Sequence, residues 1–477
     1  MKAKLGLVAL VVTLSGCSLQ PNYERPEMPT TVFWPTEPMM AEEGSIAVGD
    51  DWRSFINDPK LVQLIELALN HNRDLEVALL NILKAEAQLG IQRAERLPNI
   101  DLSGGSSNQR LSENINGGTS TISRQQSLSV GITAFELDFW GRVYNLEQQA
   151  LYSYLATVEG RKNTQLSLIS SVMQAYLNLE TDRRLLQLAK ETLETQQNSL
   201  ILTQTSFDNG VASGLDVAQA KTTVATALVD VAQFTSRVQV DINALTLLVG
   251  TPIADELLPS ANDRTEFAPV SAGLPSSVLL TRPDVMSAEH NLRAAYANIG
   301  VARAAYFPNI SLTATGGLLS RDLDDLFDGD SKSWVFSPTI NLPIFNWGSL
   351  DSQFDVAVAD QQIAEANYEK TVQTAFQEVA DALANQGTLD DQLAAQIMLV
   401  EAYKESFDLA QLRFDEGVDN YFKVLDSQRN YYSAQQTLLS TELSYWLNRI
   451  ALFKALGGGW VETDKSLPEL TLPEPSS

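Results

Sequence analysis

NILKAEAQLGIQRAERLPNIDL, residues 81–102, recurs 210 positions later as NLRAAYANIGVARAAYFPNISL, residues 291–312. The identical residues include a glycine, Gly90 and Gly300, and the Pro-Asn-Ile near the end of each stretch. Other short motifs recur after 207 residues. They are Trp140-Gly141 with Trp347-Gly348, and FDNGV (207–211) with FDEGV (414–418). An offset that holds over most of a chain indicates that one structural unit has been duplicated.

Each copy has the pattern of a helix, two strands, a long helix and a shorter return helix. Residues 60–96 are rich in good helix formers, and Pro98 predicts the end of that first helix. SLSVGITA, residues 127–134, alternates polar and apolar residues, which is typical of a strand with one apolar face. The Gly-, Ser- and Asn-rich residues 104–126 predict a loop between the two strands.

The long helix is predicted over residues 145–206, which contain no proline. Two neighbouring apolar stripes follow helical spacing, which predicts a helix packed on both sides. The stripes are Leu166, Ile169, Met173 and Tyr176, and Leu168, Val172, Ala175 and Leu179. Such a helix would be about 90 Å long, too long for a compact four-helix bundle. The return helix, 215–249, is much shorter, so we expect the helix at 60–96 to complete the antiparallel layer.

The composition excludes some classes of protein. The chain has 477 residues and a formal net charge of −26, which argues against binding to nucleic acid. After the N-terminus, no stretch approaches the length of apolar sequence that a transmembrane helix needs. Two strands per copy make four candidate membrane strands, whereas single-chain bacterial barrels begin at about eight. If these strands span a membrane, several chains must share one barrel.

The N-terminus has the layout of a secretory signal. Lys2 and Lys4 precede an apolar run, Leu5–Leu14, that is too short to span a membrane. The following Leu-Ser-Gly-Cys resembles a bacterial lipobox, which implies cleavage before Cys17 and acylation of that residue. The alternative is an ordinary signal peptide that leaves a free thiol. Ser18 follows Cys17, and the absence of an aspartate there favours the outer membrane.

Several separated motifs together resemble the outer membrane factor family, the TolC-like exit ducts, and in particular its lipidated, OprM-like branch. They are CSLQPNYERPEMP (17–29), YFPNISL (306–312), GVDNYFKVLDSQR (417–429) and ALGGGW (455–460). The resemblance implies a mixed α and β membrane protein. Its homotrimer would close a twelve-stranded β-barrel, with four strands per chain, that continues into a long α-helical periplasmic barrel.

The resemblance also implies the partners and the location. The expected partners are a periplasmic adaptor protein, an inner-membrane pump of the resistance-nodulation-division type, and outer-membrane lipid. The protein is expected to be anchored in the outer membrane, to extend into the periplasm, and to need no cofactor. The implied cargo comprises drugs, detergents, solvents or metal ions.

The duplication divides the chain into five parts. Residues 1–16 are the predicted signal peptide, and 17–59 are an extended, lipid-anchored segment. The first repeat covers 60–259 and the second covers 260–460. Residues 461–477 are the predicted C-terminal tail of the equatorial region.

The resemblance places a periplasmic gate at Phe422, Asp426 and Arg429. Their spacing puts all three on one side of the helix that follows the second turn. The matching residues in the first copy are Leu215, Gln219 and Thr222, so the charges occur in one copy only. Lys423 stands where the TolC branch has a second acid, which puts a double aspartate ring in doubt. The alternative is an ordinary exposed ion pair.

Other functions fit the sequence less well than an efflux duct does. An enzyme is disfavoured because His71 and His290 lack partners at metal-ligand spacing, and no catalytic or phosphate-binding motif is present. No metal site is therefore expected. A structural coiled-coil lipoprotein is disfavoured by the alternating strands and the duplication. Within the duct class, the exit duct of a type I protein secretion system and a heavy-metal efflux duct stay as alternatives.

Overall fold

The computed structural model describes residues 19–31, 33–34, 51–114, 117, 120–270 and 276–458. Within these ranges the chain forms seven α-helices and four strands. The helices are α1 (Pro59–His71), α2 (Arg73–Ala94), α3 (Arg142–Asp208), α4 (Gly214–Val249), α5 (Pro283–Ala304), α6 (Ser349–Asp415) and α7 (Tyr421–Ala455). The strands are β1 (Ile100–Leu111), β2 (Thr121–Glu136), β3 (Asn309–Ser320) and β4 (Lys332–Asn341). The predicted mixture of long helices and four strands is confirmed.

The chain separates into two compact units. The first, here called the sheet unit, contains the chain up to Glu27 together with 81–158 and 287–369. The second, here called the core unit, contains 28–80, 159–286 and the chain from Lys370 onward. In the described part of the chain, no helix is both long enough and apolar enough to cross a membrane.

The sheet unit contains one antiparallel sheet with the order β1-β2-β3-β4. Strands β2 and β3 come from different copies of the repeat, so their pairing joins the two copies. A bulge interrupts this pairing after Ile132, where Ala134 has a φ of 53°. The Ala134 amide donates to Thr313 Oγ1 at 3.1 Å, which satisfies a group that the bulge removes from the ladder.

The loop predicted between the first two strands is shorter than expected. Strand β1 continues to Leu111 and β2 begins at Thr121, so most of the polar stretch 104–126 is strand. Strand β1 is exposed along almost its whole length, and serines pair across it, as Ser103 Oγ and Ser129 Oγ do at 3.0 Å. The polar residues here form strands whose faces are exposed. A strand can be polar because the hydrogen bonds that pair it with its neighbour join backbone groups and do not need apolar side chains.

The single helix predicted over 60–96 is also wrong, because the structure breaks it at Asn72. The Asn72 side chain accepts from the Leu75 amide at 3.0 Å, which caps α2, and donates to the Leu248 carbonyl at 2.9 Å. Gly250 comes so close that an added Cβ would lie 2.4 Å from the His71 carbonyl oxygen. The break therefore depends on contacts with the end of α4, far away in the sequence.

The core unit is built around the two predicted stripes of α3. Both stripes are buried in one apolar cluster with residues of α1, as Ile169 and Val172 illustrate, except for Ala175, which is half-buried. The Tyr176 hydroxyl donates to Asp58 Oδ2 at 2.8 Å, and Asp58 caps the first turn of α1. Phe55 stacks on Phe453 with ring centroids 4.3 Å apart. Each such fully buried side chain contributes about 1.5–3 kcal/mol, so this cluster stabilises the junction of α1, α3 and α7.

Candidate functional site: the helical turns and the start of α7

The two helical turns of the core unit have the same backbone structure. In the first turn, Gly210 has a φ of 75° and the Val211 amide donates to the Ser206 carbonyl at 2.9 Å. In the second, Gly417 has a φ of 70° and the Val418 amide donates to the Arg413 carbonyl, also at 2.9 Å. Glycine is needed at both positions because the left-handed conformation disfavours other residues. The duplicated motif thus encodes a duplicated turn.

The side chains of the two turns differ in charge. Arg413 Nε donates to Asp419 Oδ2 at 2.6 Å and ties the second turn to the end of α6. This hydrogen bond lowers the pKa of Asp419, whose side chain is only partly exposed. The equivalent residues of the first turn are Ser206 and Ala212, which cannot form an ion pair. The first turn is stabilised instead by a reciprocal cap, in which Ser213 and Asp216 bind each other's backbone amides.

The predicted gate residues lie in the first turns of α7. Phe422 is about half exposed, at 50%. Arg429 Nη2 lies 2.6 Å from Asp426 Oδ1, and the two side chains are 74% and 42% exposed. The structure therefore joins Asp426 and Arg429 directly, as the spacing predicts, and leaves the Phe422 ring accessible.

The opposite side of α7 fixes the orientation of this exposed face. Val424, Leu425 and Gln428 are buried. One turn further on, the Tyr432 hydroxyl donates to Asp230 Oδ2 on α4 at 3.0 Å. Burial and the Asp230 carboxylate raise the pKa of Tyr432 well above its usual value. Tyr432 is thus a hydrogen-bond donor at neutral pH and holds α7 against α4.

Sequence reasoning missed two features of the second turn. The ring of Tyr421 lies 5.2 Å from that of Phe414, centroid to centroid, and burial raises the pKa of Tyr421. The Arg413–Asp419 pair was missed as well. A comparison of the two copies could have found this pair, since its residues replace Ser206 and Ala212 of the first turn.

The segment after the predicted lipidation site is held by a charged cluster in the sheet unit. Arg25 Nη2 donates to Glu289 Oε2 at 2.7 Å, and the Tyr23 hydroxyl donates to Oε1 at 3.1 Å. Arg293 also donates to Oε1 at 2.7 Å, and its guanidinium lies over the Tyr23 ring. Burial raises the pKa of Glu289, but hydrogen bonds from the two arginines outweigh it and the pKa is lowered. Cys17 itself lies outside the described residues.

In the ranges that the structure describes, no three His, Cys, Asp or Glu side chains come together in a way that could hold a metal ion.

The sheet unit contains a cavity of about 370 Å³ where β2 meets α3, with Phe135, Asp138 and Tyr144 among its lining residues. The Asp138 carboxylate accepts from the Tyr144 amide at 2.8 Å, so it caps α3.

Comparison with known proteins gives consistent results along the whole chain. The family model described as outer membrane efflux protein matches residues 64–251 and 274–458. Two Pseudomonas putida proteins, the antibiotic efflux pump outer membrane protein ArpC and the toluene efflux pump outer membrane protein TtgC, are each 46% identical over 466 residues. These alignments cover 97% of this chain and 96% of each relative.

The fold is also similar to solved structures. The open state of the Neisseria gonorrhoeae MtrE outer membrane channel superposes with a TM-score of 0.83 at 35% identity. The match covers 93% of this chain and 98% of that one. The resemblance drawn from the sequence motifs is therefore confirmed: the chain belongs to the outer membrane efflux protein family.

Proposed function

We propose that this protein is the outer-membrane exit duct of a tripartite efflux pump and conducts its cargo passively. The observation that carries the proposal is the likeness, over 97% of the chain, to relatives named as outer membrane proteins of efflux pumps. Those names also favour efflux over type I protein secretion. A duct needs no catalytic group, and we infer that the protein is not an enzyme.

The proposed assembly is a homotrimer. Strands β1 and β4 are the two edges of the sheet, and each presents a row of backbone groups that hydrogen bonds to another strand would satisfy. In a membrane such edges must be paired. Three copies would supply twelve strands, enough to close one barrel, whereas the four strands of one chain are too few.

The proposed partners follow from this role. A periplasmic adaptor would join the duct to an inner-membrane pump of the resistance-nodulation-division type. Acylation at Cys17 would anchor the mature N-terminus in the outer membrane, and the Glu289 cluster would hold the segment that follows. The names of the relatives suggest antibiotics and toluene-like solvents as cargo.

Phe422, Asp426 and Arg429 are the proposed gate at the periplasmic end. Their exposure is consistent with a face that meets its symmetry mates around a central axis. Three carboxylates at a separation of about 8 Å would repel one another by about 2 kcal/mol per pair at an effective dielectric constant near 20. Each Arg429 would offset this repulsion, so the closed state would depend on the Asp426–Arg429 pairs.

A planar bilayer experiment tests the duct directly. Purified protein should insert as a trimer and give discrete ion-conducting channels. In cells that lack their own efflux ducts, expression with a matching adaptor and pump should restore antibiotic or toluene tolerance. A trimer that never conducts, or a conducting monomer, would contradict the proposal. If the protein restores protein secretion in such cells, but restores tolerance with no efflux pump, the result would support the alternative, the exit duct of a type I protein secretion system.

A further inference from the structure

The cavity where β2 meets α3 is lined by charged side chains that only the first copy of the repeat has. Asp138 and Arg96 both line it. The matching residues of the second copy are Phe345 and Tyr306, which carry no charge at neutral pH. Both copies nevertheless form a strand that is followed by a long helix. The backbone fold therefore does not require these charges, and they need another explanation.

The arginines around the cavity already have carboxylate partners. Arg142 donates from Nε and Nη2 to the two carboxylate oxygens of Glu136, at 2.8 and 2.6 Å. Arg96 Nη1 donates to Glu147 Oε2 at 2.8 Å. Arg142 interacts with Asp138 only through the electrostatic field of its charge, over a longer distance. Within the described part of the chain, Asp138 is thus a carboxylate to which no cation is hydrogen-bonded.

The carboxylate of Asp138 is satisfied at one oxygen only. Oδ2 accepts from the Tyr144 amide and caps α3. Oδ1 is buried, and no donor among the described residues forms a hydrogen bond with it. Such an oxygen is unfavourable, because it has lost its contact with bulk water and has gained no partner in return. An asparagine would cap the helix as well as an aspartate does, so the cap does not explain the charge.

The cavity keeps its opposite charges apart. The Asp138 Oδ1 atom is buried, whereas the side chain of Arg96 is 54% exposed. Between them the lining is largely aromatic, with Phe135, Phe139 and Tyr144. The volume of about 370 Å³ falls in the range of sites for small ligands. This arrangement fits a ligand whose cationic end enters the cavity and whose anionic group stays closer to solvent.

The chemistry of the lining favours an organic ammonium as the cationic end. An ammonium can donate a charge-assisted hydrogen bond to Asp138 Oδ1, and the faces of aromatic rings attract cations. A divalent metal ion fits less well, since no three carboxylate or imidazole groups converge in the described ranges. If the sheet spans the membrane as proposed, the end of β2 lies at the membrane surface, where aromatic side chains and lipid head groups meet.

We propose that this cavity binds the head group of a zwitterionic phospholipid that carries a primary ammonium. The ammonium donates to Asp138 Oδ1, and the phosphate lies beside Arg96. Phe135 and Phe139 contact the glycerol and the first acyl carbons. The inference rests on the proposed membrane duct, because the cavity meets lipid only if the sheet lies in a membrane. A soluble amine would offer the same ammonium, and the experiment separates the two sources.

Lipid binding to the full-length protein in mild detergent tests the site. Native mass spectrometry counts the bound lipids after titration with each of three phospholipids. Phosphatidylethanolamine should bind at least about tenfold more tightly than phosphatidylglycerol, which has no ammonium. Phosphatidylcholine should fall between them, because its quaternary ammonium has no N–H to donate. Equal affinity for the three lipids would overturn the inference. Free phosphoethanolamine that competes at the same concentration as the lipid would assign the site to a soluble amine instead.

Asp138→Asn keeps an oxygen for the Tyr144 amide and removes the charge. The variant should lose at least about tenfold in affinity for phosphatidylethanolamine and should no longer distinguish it from phosphatidylglycerol. Arg96→Gln should weaken the binding of all three lipids, since each contains the phosphate. The matched control is Asp101→Asn, a change at an exposed carboxylate of β1 in the same sheet. Selective binding that persists in Asp138→Asn would exclude this carboxylate from the site.

A photoreactive lipid locates the site in the wild-type protein and needs no variant. A phosphatidylethanolamine with a diazirine near the start of one acyl chain keeps its amine free. After illumination, it should label residues 135–144 and spare the matching residues 342–351, where Phe345 replaces Asp138. Equal labelling of the two segments, or labelling of neither, would refute the site.

The outcomes separate this inference from the proposed function. Trimers that conduct ions but bind the three lipids equally would refute the lipid site and leave the duct intact. A protein that selects phosphatidylethanolamine at residues 135–144 but never conducts would refute the duct and keep the lipid site. Conducting trimers with selective binding that Asp138→Asn abolishes would support both.

Discussion

Arg429 Nη2 lies 2.6 Å from Asp426 Oδ1, and the matching positions of the first repeat, Thr222 and Gln219, carry no charge. A scaffold made of two equivalent units therefore has an ion pair in one of them only. Such a difference is expected if one helix pair per chain moves during opening and the other does not. The matching residues of the first repeat can therefore serve as a control for variants of this ion pair.

The double variant Asp426→Ala with Arg429→Ala should raise single-channel conductance and admit bulky antibiotics, because the closed state loses its charge pairs. Trimer yield should stay the same, since an exposed pair at this spacing contributes only about 0.2–0.5 kcal/mol. Bilayer recording and antibiotic susceptibility provide the measurements. The matched control, Gln219→Ala with Thr222→Ala, should behave like the wild type. Equal conductance in both double variants would exclude these residues from the gate.

Asp182 on α3 and Asp241 on α4 are close enough for each carboxyl group to shift the pKa of the other. Burial and the neighbouring Asp182 raise the pKa of Asp241 to about 6, although Arg237 acts in the opposite direction. Because folding raises the pKa of Asp241, its protonated carboxyl stabilises the folded state. This contribution to the free energy of unfolding is fully present below about pH 4 and is lost as the pH rises through about 6. Neutral pH therefore weakens this contact between α3 and α4.

Asp241→Asn should remove that pH dependence. At pH 8 the variant should be more stable by about 1 kcal/mol, a figure reduced from the full linkage value because solvent screens the pair. At pH 5 the difference should fall to about half of its value at pH 8, because Asp241 then carries its proton in the folded state while the carboxyl of the unfolded chain is still largely ionised. Thermal unfolding followed by circular dichroism at the two pH values tests this. Asp408→Asn, a change at an exposed carboxylate of α6, is the control and should give the same shift at both values.

Glu289→Gln should loosen the N-terminal segment, because Arg25 and Arg293 lose the carboxylate that holds them. Hydrogen exchange of residues 19–27 should accelerate at least several-fold at pH 7. In the wild type the lowered pKa of Glu289 keeps the anchor intact down to about pH 4.5, and protection should be lost as the pH falls through the lower folded-state value. Glu24→Gln, at an exposed position of the same segment, should leave the exchange unchanged. Equal exchange in both variants would argue against the anchor.

Cys17→Ser should abolish acylation and lipoprotein processing of the N-terminus. Mass spectrometry of the mature protein should find a lipid-modified Cys17 in the wild type and an unprocessed or differently cleaved N-terminus in the variant. Trimers should still assemble, because twelve strands bury far more apolar area than one lipid anchor. A free thiol on Cys17 in the mature wild-type protein would refute the lipidation.

Much of the fold was predictable because its signals are local. The 207- and 210-residue offsets predict the duplication, and identical turn motifs form identical turns at Gly210 and Gly417. The two stripes of α3 were found from their helical spacing alone, and residues such as Ile169 and Val172 are buried. The spacing of apolar residues predicts which faces of a helix are buried, although it does not predict which element buries them.

The remaining features depend on partners far away in the sequence. Asn72 ends α1 because it meets Leu248. Residues 104–111 and 121–126 of the polar stretch become strand because β1 and β2 pair. Trp140 and Trp347 are followed by the same glycine, yet only Trp140 is covered within the chain. The sequence by itself determined the repeat, the helix faces and the turns, since these follow from local spacing and backbone preference. Only the tertiary structure decided where helices break, which carboxylates meet and which surfaces are left open, because each of these is a contact between distant residues.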